Sequence, residues 1–112
     1  MRQIAIALSF TLILILLTAT TLPAAGDAAA GKELFAKKCA SCHGPSGEGK
    51  DAIAKMMKVE MKPLGSKEVQ AKSDADLMKV MKEGNGKMKP VADLKEKDTQ
   101  DIAAFLRTLA KK

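Results

Sequence analysis

The residues Cys39, Cys42 and His43 lie in the stretch Cys-Ala-Ser-Cys-His, and the 112-residue chain has no other cysteine or histidine. Thiols and an imidazole at this spacing suit three chemistries: a redox couple, a metal site and covalent haem attachment. A thioredoxin-like couple lies at the start of a helix that follows a strand, whereas here a helix is predicted before the pair. A structural zinc ion takes four ligands, and these residues supply three. A disulfide closing so short a loop would add little stability.

Haem attachment uses all three side chains. Two thiols at C-x-x-C spacing can add to two vinyl groups of a porphyrin, and a histidine directly after the second thiol can bind the iron. The sequence therefore predicts one covalently bound haem c per chain. Cys39 and Cys42 are the predicted thioether links, and His43 is the predicted proximal iron ligand.

The sixth iron ligand decides whether such a haem carries electrons or reacts with small molecules. Because the chain has no second histidine, a methionine is the expected ligand. Met88 is the predicted distal ligand, since it lies in the Gly- and Pro-bearing loop "GNGKMKP" between two predicted helices. Core filling is the alternative role for a methionine, and the other candidates are Met56, Met57, Met61, Met78 and Met81. An open or water-filled position is a further alternative.

Capping residues predict the helices that must position this site. The predicted helix starts are at Asp27, at Asp51, at Ser73, and at Asp98 with Asp101 three residues later. Proline and glycine content predicts loops at 41–50 and 84–97, and no alternating strand pattern occurs. The sequence predicts an all-α domain of three or four helices, whose long loops are typical of a wrapped ligand.

The first 26 residues have the plan of a secretory signal peptide. Arg2 is followed by a long uncharged stretch with an apolar centre and then by small residues, as in a leader with a cleavage site. We expect cleavage after Gly26, which leaves a domain of residues 27–112 in the periplasm. Cleavage near Ala30 is an alternative. Retention as a membrane anchor is another, because the stretch is long enough to span a bilayer.

The composition limits both the core and the partners. The chain has no Trp or Tyr and three Phe residues, and its formal net charge is +6. A core this small usually needs a cofactor, metal or disulfide to be stable. Without stacking aromatics, and with Lys interspersed among Asp and Glu, nucleic-acid binding is not expected. The charge suits either an acidic redox partner or simple solvation of the surface.

Three stretches resemble the small single-haem class I c-type cytochromes, of the bacterial cytochrome c6-like and cbb3-subunit-like kind. These stretches are "GKELFAKKCASCHGPSGEGK", "LMKVMKEGNGKMKP" and "DIAAFLRTL", although this chain has Met-Lys-Pro where the family usually has Met-Pro. The resemblance implies a cytochrome c fold wrapped around one haem, with His43 and Met88 as axial ligands. It also implies that the terminal helices cross at Gly31 and pack Phe35 against Phe105.

The predicted function is therefore periplasmic electron transfer, not enzymatic, by a monomer that docks with redox partner proteins. Two alternatives stay open at the level of sequence. One is an enzyme or gas-binding sensor with five-coordinate haem. The other is a cytochrome subunit of a respiratory complex, tethered to the membrane by a retained leader.

Overall fold

Helices joined by loops make up the part of the chain that the structure describes. The structure is a computed structural model that describes residues 26–111, so the predicted leader lies outside the described residues apart from Gly26. The helices are α1 (Ala28–Lys38), α2 (Ala40–His43), α3 (Asp51–Met57), α4 (Lys67–Gln70), α5 (Asp74–Glu83) and α6 (Glu96–Thr108). Within residues 26–111 the β structure is one isolated bridge, between Asn85 and Met88. The predicted all-α fold is confirmed.

Four helices, α1, α3, α5 and α6, have seven residues or more, in line with the predicted three or four. The single turns α2 and α4 have four residues each and were not expected from the sequence. Helix α3 ends at Met57, because Lys58 adopts a left-handed conformation with φ 54°. No helix among residues 26–111 is long and apolar enough to cross a membrane.

Two of the predicted helix caps form as expected. The Asp27 side chain accepts hydrogen bonds from the backbone N–H groups of Ala29 and Ala30, at 2.9 and 3.2 Å. The Ser73 hydroxyl accepts from the backbone N–H of Asp76, at 3.1 Å. Such caps satisfy N–H groups that have no partner within the helix. They fix where α1 and α5 begin.

The predicted start of α6 is corrected by the structure. The helix begins at Glu96 rather than after Asp98, and the Asp98 carboxylate accepts the backbone N–H of Lys95, at 2.9 Å. Asp98 therefore caps the helix from inside its first turn. Asp101 does not complete this cap. Its carboxylate instead accepts the backbone N–H of Asp27, at 2.8 Å, and thereby joins α6 to the start of α1.

Helices α1 and α6 cross at Gly31, as the family resemblance implied. A Cβ atom on this glycine would lie 1.9 Å from the backbone oxygen of Asp101, so the two backbones approach too closely for a side chain. Beside the crossing, the rings of Phe35 and Phe105 pack at 5.2 Å between centroids. Phe35 and Ile102 are almost fully buried, with 2% and 1% of their surface exposed. This pair of terminal helices is the centre of the core.

Arg107 and Gln70 tie the connection before α5 to α6. The Arg107 guanidinium donates to the carbonyl oxygens of Gln70 and Lys72, at 2.9 and 2.6 Å, and to the carboxylate of Asp74, at 2.8 Å. The side-chain amide of Gln70 donates to the carbonyl oxygens of Leu64 and Leu106, both at 2.9 Å. These bonds hold a segment with little helix of its own at a fixed distance from α6. We call this set of contacts the Arg107–Gln70 clamp.

Candidate haem site

A cavity of about 860 Å³ lies between the helices and the loops. Its volume falls in the upper part of the range of about 300–1,000 Å³ that is usual for small-molecule sites. Apolar side chains line much of it, including Ile53, Leu64, Val69, Leu77 and Leu106. The predicted site residues are also in its wall: Cys39, Cys42, His43 and Met88. The structure therefore brings together all four residues that the sequence singled out.

The two thiols and the imidazole are positioned by the end of α1 and by α2. Cys39 ends α1, and its backbone N–H donates to the carbonyl of Phe35, at 2.9 Å. The N–H of His43 donates to the carbonyl of Cys39, at 3.0 Å. This single turn of helix presents Cys39, Cys42 and His43 to the same cavity. The sequence had indicated a loop from residue 41 onward, so the turn was missed.

The protonation states of these side chains do not suit a thiol redox couple. Burial raises the pKa of the Cys39 thiol to about 11, and Lys38 opposes this rise while Cys42 adds to it. Activated thiols in redox enzymes have lowered pKa values, so the shift of Cys39 has the wrong sign for that chemistry. Both cysteines are free. They are therefore available for thioether bonds.

The imidazole of His43 is in the form that binds a metal. Burial lowers the pKa of His43 below its ordinary value, so the ring is neutral at neutral pH, which is the ligating form. Its Nδ1 atom is buried and has no hydrogen-bond partner among residues 26–111. Buried polar groups are rarely left unpaired, which is consistent with a ring held in place by a bound group. The imidazole, the two thiols and the apolar cavity together fit a haem.

Met88 reaches the cavity from a loop that folds back on the end of α5. The backbones of Asn85 and Met88 exchange two hydrogen bonds of 2.9 Å, which close a tight turn. Gly84 has φ 79°, and a Cβ atom there would lie 2.5 Å from the Met88 carbonyl oxygen. The N–H of Val91 then donates to the carbonyl of Met81, at 2.9 Å. The loop is thus anchored on both sides of Met88.

The cavity also narrows the set of alternative methionine ligands. Met57, Met61 and Met81 line it with Met88, whereas Met56 is 71% exposed. Met81 is buried in the core with 5% of its surface exposed, as expected for a core-filling side chain. The backbone of Met61 lies against Gly49, whose N–H donates to the carbonyl of His43. Met61 therefore lies beside the loop that follows His43, whereas Met88 lies in the separate loop after α5.

The Arg107–Gln70 clamp holds several residues that line the cavity, and sequence reasoning did not find it. Of the residues whose backbones it binds, Leu64, Lys72 and Leu106 line the cavity. One signal was present, since Arg107 is the single arginine after Arg2 in a lysine-rich chain. Arginine offers a planar set of donors that lysine lacks. Arg107 uses this geometry, because its guanidinium binds two carbonyl oxygens and a carboxylate.

The fold and the cavity define a class of protein, namely small all-α proteins that hold one haem at a Cys-x-x-Cys-His attachment. The Cytochrome c family profile matches residues 28–110 of the chain. The chain is also 36% identical over 91 residues to cytochrome c-554(547) of Halothiobacillus neapolitanus, covering 76% of this chain and 99% of that protein. The chain belongs to the cytochrome c family. It is a c-type cytochrome electron carrier, and its cofactor is haem c.

A solved structure supports the same fold. The KustC0563 c-type cytochrome matches with a TM-score of 0.62 and 24% identity, over 72% of this chain and 98% of that chain. The predicted family, all-α cytochrome fold and haem cofactor are therefore confirmed. The individual roles of Cys39, Cys42, His43 and Met88 stay predictions.

Proposed function

We propose that the protein is a periplasmic electron carrier in which Cys39 and Cys42 form the thioether bonds to haem c. His43 and Met88 would both bind the iron. When bound, the haem supplies a one-electron couple between ferric and ferrous iron. The observation that carries the proposal is that the imidazole of His43 and the thioether of Met88 line one largely apolar cavity together with Cys39 and Cys42.

The choice of Met88 rests on the contacts of the competing methionines. Met61 packs beside the loop that follows His43, and Met81 is part of the buried core. Met88 is partly buried in a loop anchored on the end of α5. With both His43 and Met88 as ligands, a haem iron would have no free position for peroxide or a gas. A thioether ligand would also favour the ferrous state.

The ligand assignment is tested by Met88→Ala, with Met61→Ala as the matched control. Met61 also lines the cavity and lies beside the loop that follows His43. We expect Met88→Ala to lose the weak methionine-to-iron absorption band of the ferric protein, to lower the reduction potential and to bind carbon monoxide when reduced. Met61→Ala should keep the band and exclude carbon monoxide. If Met88→Ala kept the band, the assignment would be wrong. If the unmodified protein bound carbon monoxide, the five-coordinate alternative would be favoured.

Export and attachment are tested in one measurement of intact mass on protein from a native-like bacterial host. Loss of about 26 residues together with gain of one haem is the expected result. Gain of a haem with retention of residues 1–26 would instead support a membrane-tethered subunit. A chain without covalent haem would contradict the proposed roles of Cys39 and Cys42.

We also propose that the protein docks with acidic redox partners through lysines near the haem. Among the lysines near the attachment and Met88 loops, Lys82 pairs with Glu96 and is unsuited to this role. Lys38 also has an internal contact, since its Nζ donates to the Ala92 carbonyl at 3.3 Å. The exposed Lys87 and Lys89 flank Met88 and line the cavity. Electron transfer to an acidic partner should slow as ionic strength rises, and a rate independent of salt would contradict this docking mode.

A further inference from the structure

The positive charge of the described chain is concentrated at the haem cavity. Arg2 and Lys112 lie outside residues 26–111, which leaves 17 of the 19 Lys and Arg residues against all 13 Asp and Glu residues. Among the charged side chains that line the cavity is one acid, Glu60, and the lining lysines are Lys38, Lys62, Lys72, Lys87 and Lys89. The cavity therefore accounts for the whole net charge of +4. The remaining 12 basic and 12 acidic side chains balance.

A haem brings two carboxylates into such a cavity. These carboxylates are on the two pyrrole rings that carry no vinyl group, so thioether bonds at Cys39 and Cys42 direct them away from the attachment edge. Lys38 directly precedes Cys39 and lies at that edge. Lys87 and Lys89 flank Met88, the proposed iron ligand. Among the lining lysines, Lys62 and Lys72 remain as cations for the carboxylates.

The surroundings of these two lysines favour Lys72. Lys62 lies two residues after Glu60, which also lines the cavity, and the charge of Lys62 also acts on Glu68. The pKa of Glu68 is lowered first by its own backbone N–H and then by Lys62, so part of the Lys62 charge is already compensated. The salt bridges among residues 26–111 do not include Lys72. Lys72 therefore lines the cavity without an ion pair among those residues, and the nearest acid along the chain, Asp74, is paired with Arg107.

The backbone of Lys72 is also held in place. Its carbonyl oxygen accepts from the Arg107 guanidinium at 2.6 Å, and its N–H donates to the carbonyl of Val69 at 3.1 Å. A lysine on a fixed backbone loses less freedom when its ammonium group is engaged. We propose that Lys72 binds a haem carboxylate through its ammonium group and that Arg107, through the Lys72 carbonyl, is its positioning residue. The proposal depends on haem attachment at Cys39 and Cys42, and the exclusion of Lys87 and Lys89 depends on the Met88 assignment.

The test compares Lys72→Gln with Lys67→Gln in the haem-loaded protein. Lys67 is an exposed lysine of α4, in the same segment, that does not line the cavity, so both variants remove one charge. We expect Lys72→Gln to move the proton NMR signals of the haem propionate methylenes. It should also decrease the ratio of ferrous to ferric protein severalfold at a fixed ambient potential, because an uncompensated carboxylate favours ferric iron. Lys67→Gln should change both readouts much less, and Lys72→Arg should preserve both.

Two further variants make the test decisive. If Lys72→Gln matched Lys67→Gln, or if Lys62→Gln gave the larger shift, the assignment of Lys72 would be overturned. In an Arg107→Gln background, Lys72→Gln should have a smaller effect than in the parent, since the lysine is no longer held. An unchanged effect would overturn the positioning role of Arg107. The intact mass of each variant should include one haem. This measurement distinguishes the outcomes above from a failure of haem attachment.

Discussion

The crossing of α1 and α6 can be tested with Gly31→Ala. A methyl group at this position would lie 1.9 Å from the Asp101 carbonyl oxygen, whereas ordinary contacts begin at 3.4 Å. The two helices would have to separate by about 1.5 Å, because the opposing atoms are backbone and cannot rotate away. Overpacking of this kind costs about 1–3 kcal/mol. Separation would also weaken the Phe35–Phe105 contact, and an aromatic pair contributes about 0.5–1.5 kcal/mol beyond its buried area.

The opposing effect is helix propensity, which favours alanine over glycine by about 1 kcal/mol. We therefore expect a net loss of about 0.5–3.5 kcal/mol in the free energy of unfolding. For a domain of this size, the midpoint of about 2 kcal/mol lowers the melting temperature by about 8–16 °C. The assay is thermal unfolding of the haem-loaded ferric protein, followed by far-ultraviolet circular dichroism.

A matched control separates the clash from propensity. Ala36 is exposed in the same helix, and Ala36→Gly should lose about 1 kcal/mol from propensity alone. The two effects at these sites have opposite directions: adding a methyl group destabilises at Gly31, and removing one destabilises at Ala36. If Gly31→Ala melted at or above the parent temperature, the proposed close approach of the backbones would be wrong.

Two other predictions concern α6. Arg107→Gln should lower the free energy of unfolding by about 1–2 kcal/mol, because the carbonyls and the carboxylate bound by the guanidinium lose their donor. Denaturant unfolding measures this loss. Arg107→Lys should recover only part of it. Asp101 has a lowered pKa, first from the Lys97 side chain and then from the backbone N–H of Asp27. Its contribution to stability should therefore be present above the pKa of an unfolded aspartate, about 3.9, and be lost as the pH falls through the lower folded value. Stability measured from pH 6 downward should fall less steeply in Asp101→Asn than in the parent, and equal slopes would contradict this.

The sequence predicted the elements whose signals are local. Asp27 and Ser73 cap α1 and α5 as expected, because a cap is made by residues two or three positions apart. The short helix α4 gave no such signal. It is held by the Gln70 side chain, which binds carbonyls of Leu64 and Leu106. Contacts over that distance along the chain cannot be inferred from a local pattern.

The start of α6 shows a different limit of sequence reasoning. Both Asp98 and Asp101 can accept a backbone N–H, and their spacing predicted one cap shared between them. In the structure Asp98 caps its own helix from the first turn, whereas Asp101 bonds to Asp27. The partner of Asp101 is 74 residues away. The position of an acceptor can thus be predicted where its donor cannot.

The sequence predicted the chemistry of the candidate site more completely than the contacts that hold the site in place. The types and spacing of Cys39, Cys42 and His43 predicted haem c, which the family assignment confirms. Met88 was singled out from its loop, and the structure places it in the cavity wall. The Arg107–Gln70 clamp was missed because Arg107 binds groups that lie 33 to 37 residues away along the chain.

The separation of α1 and α6 along the chain has a consequence for the order of assembly. Helix α1 and the attachment stretch are made before α6, which carries the partner surface of α1 and the Arg107 side chain. Neither the core nor the Arg107–Gln70 clamp can form before α6 has been made, and pairing of distant segments is intrinsically slow. Until then Cys39 and Cys42 belong to an open polypeptide. A chain that ended before α6 would expose the attachment residues, but it could not enclose a bound haem.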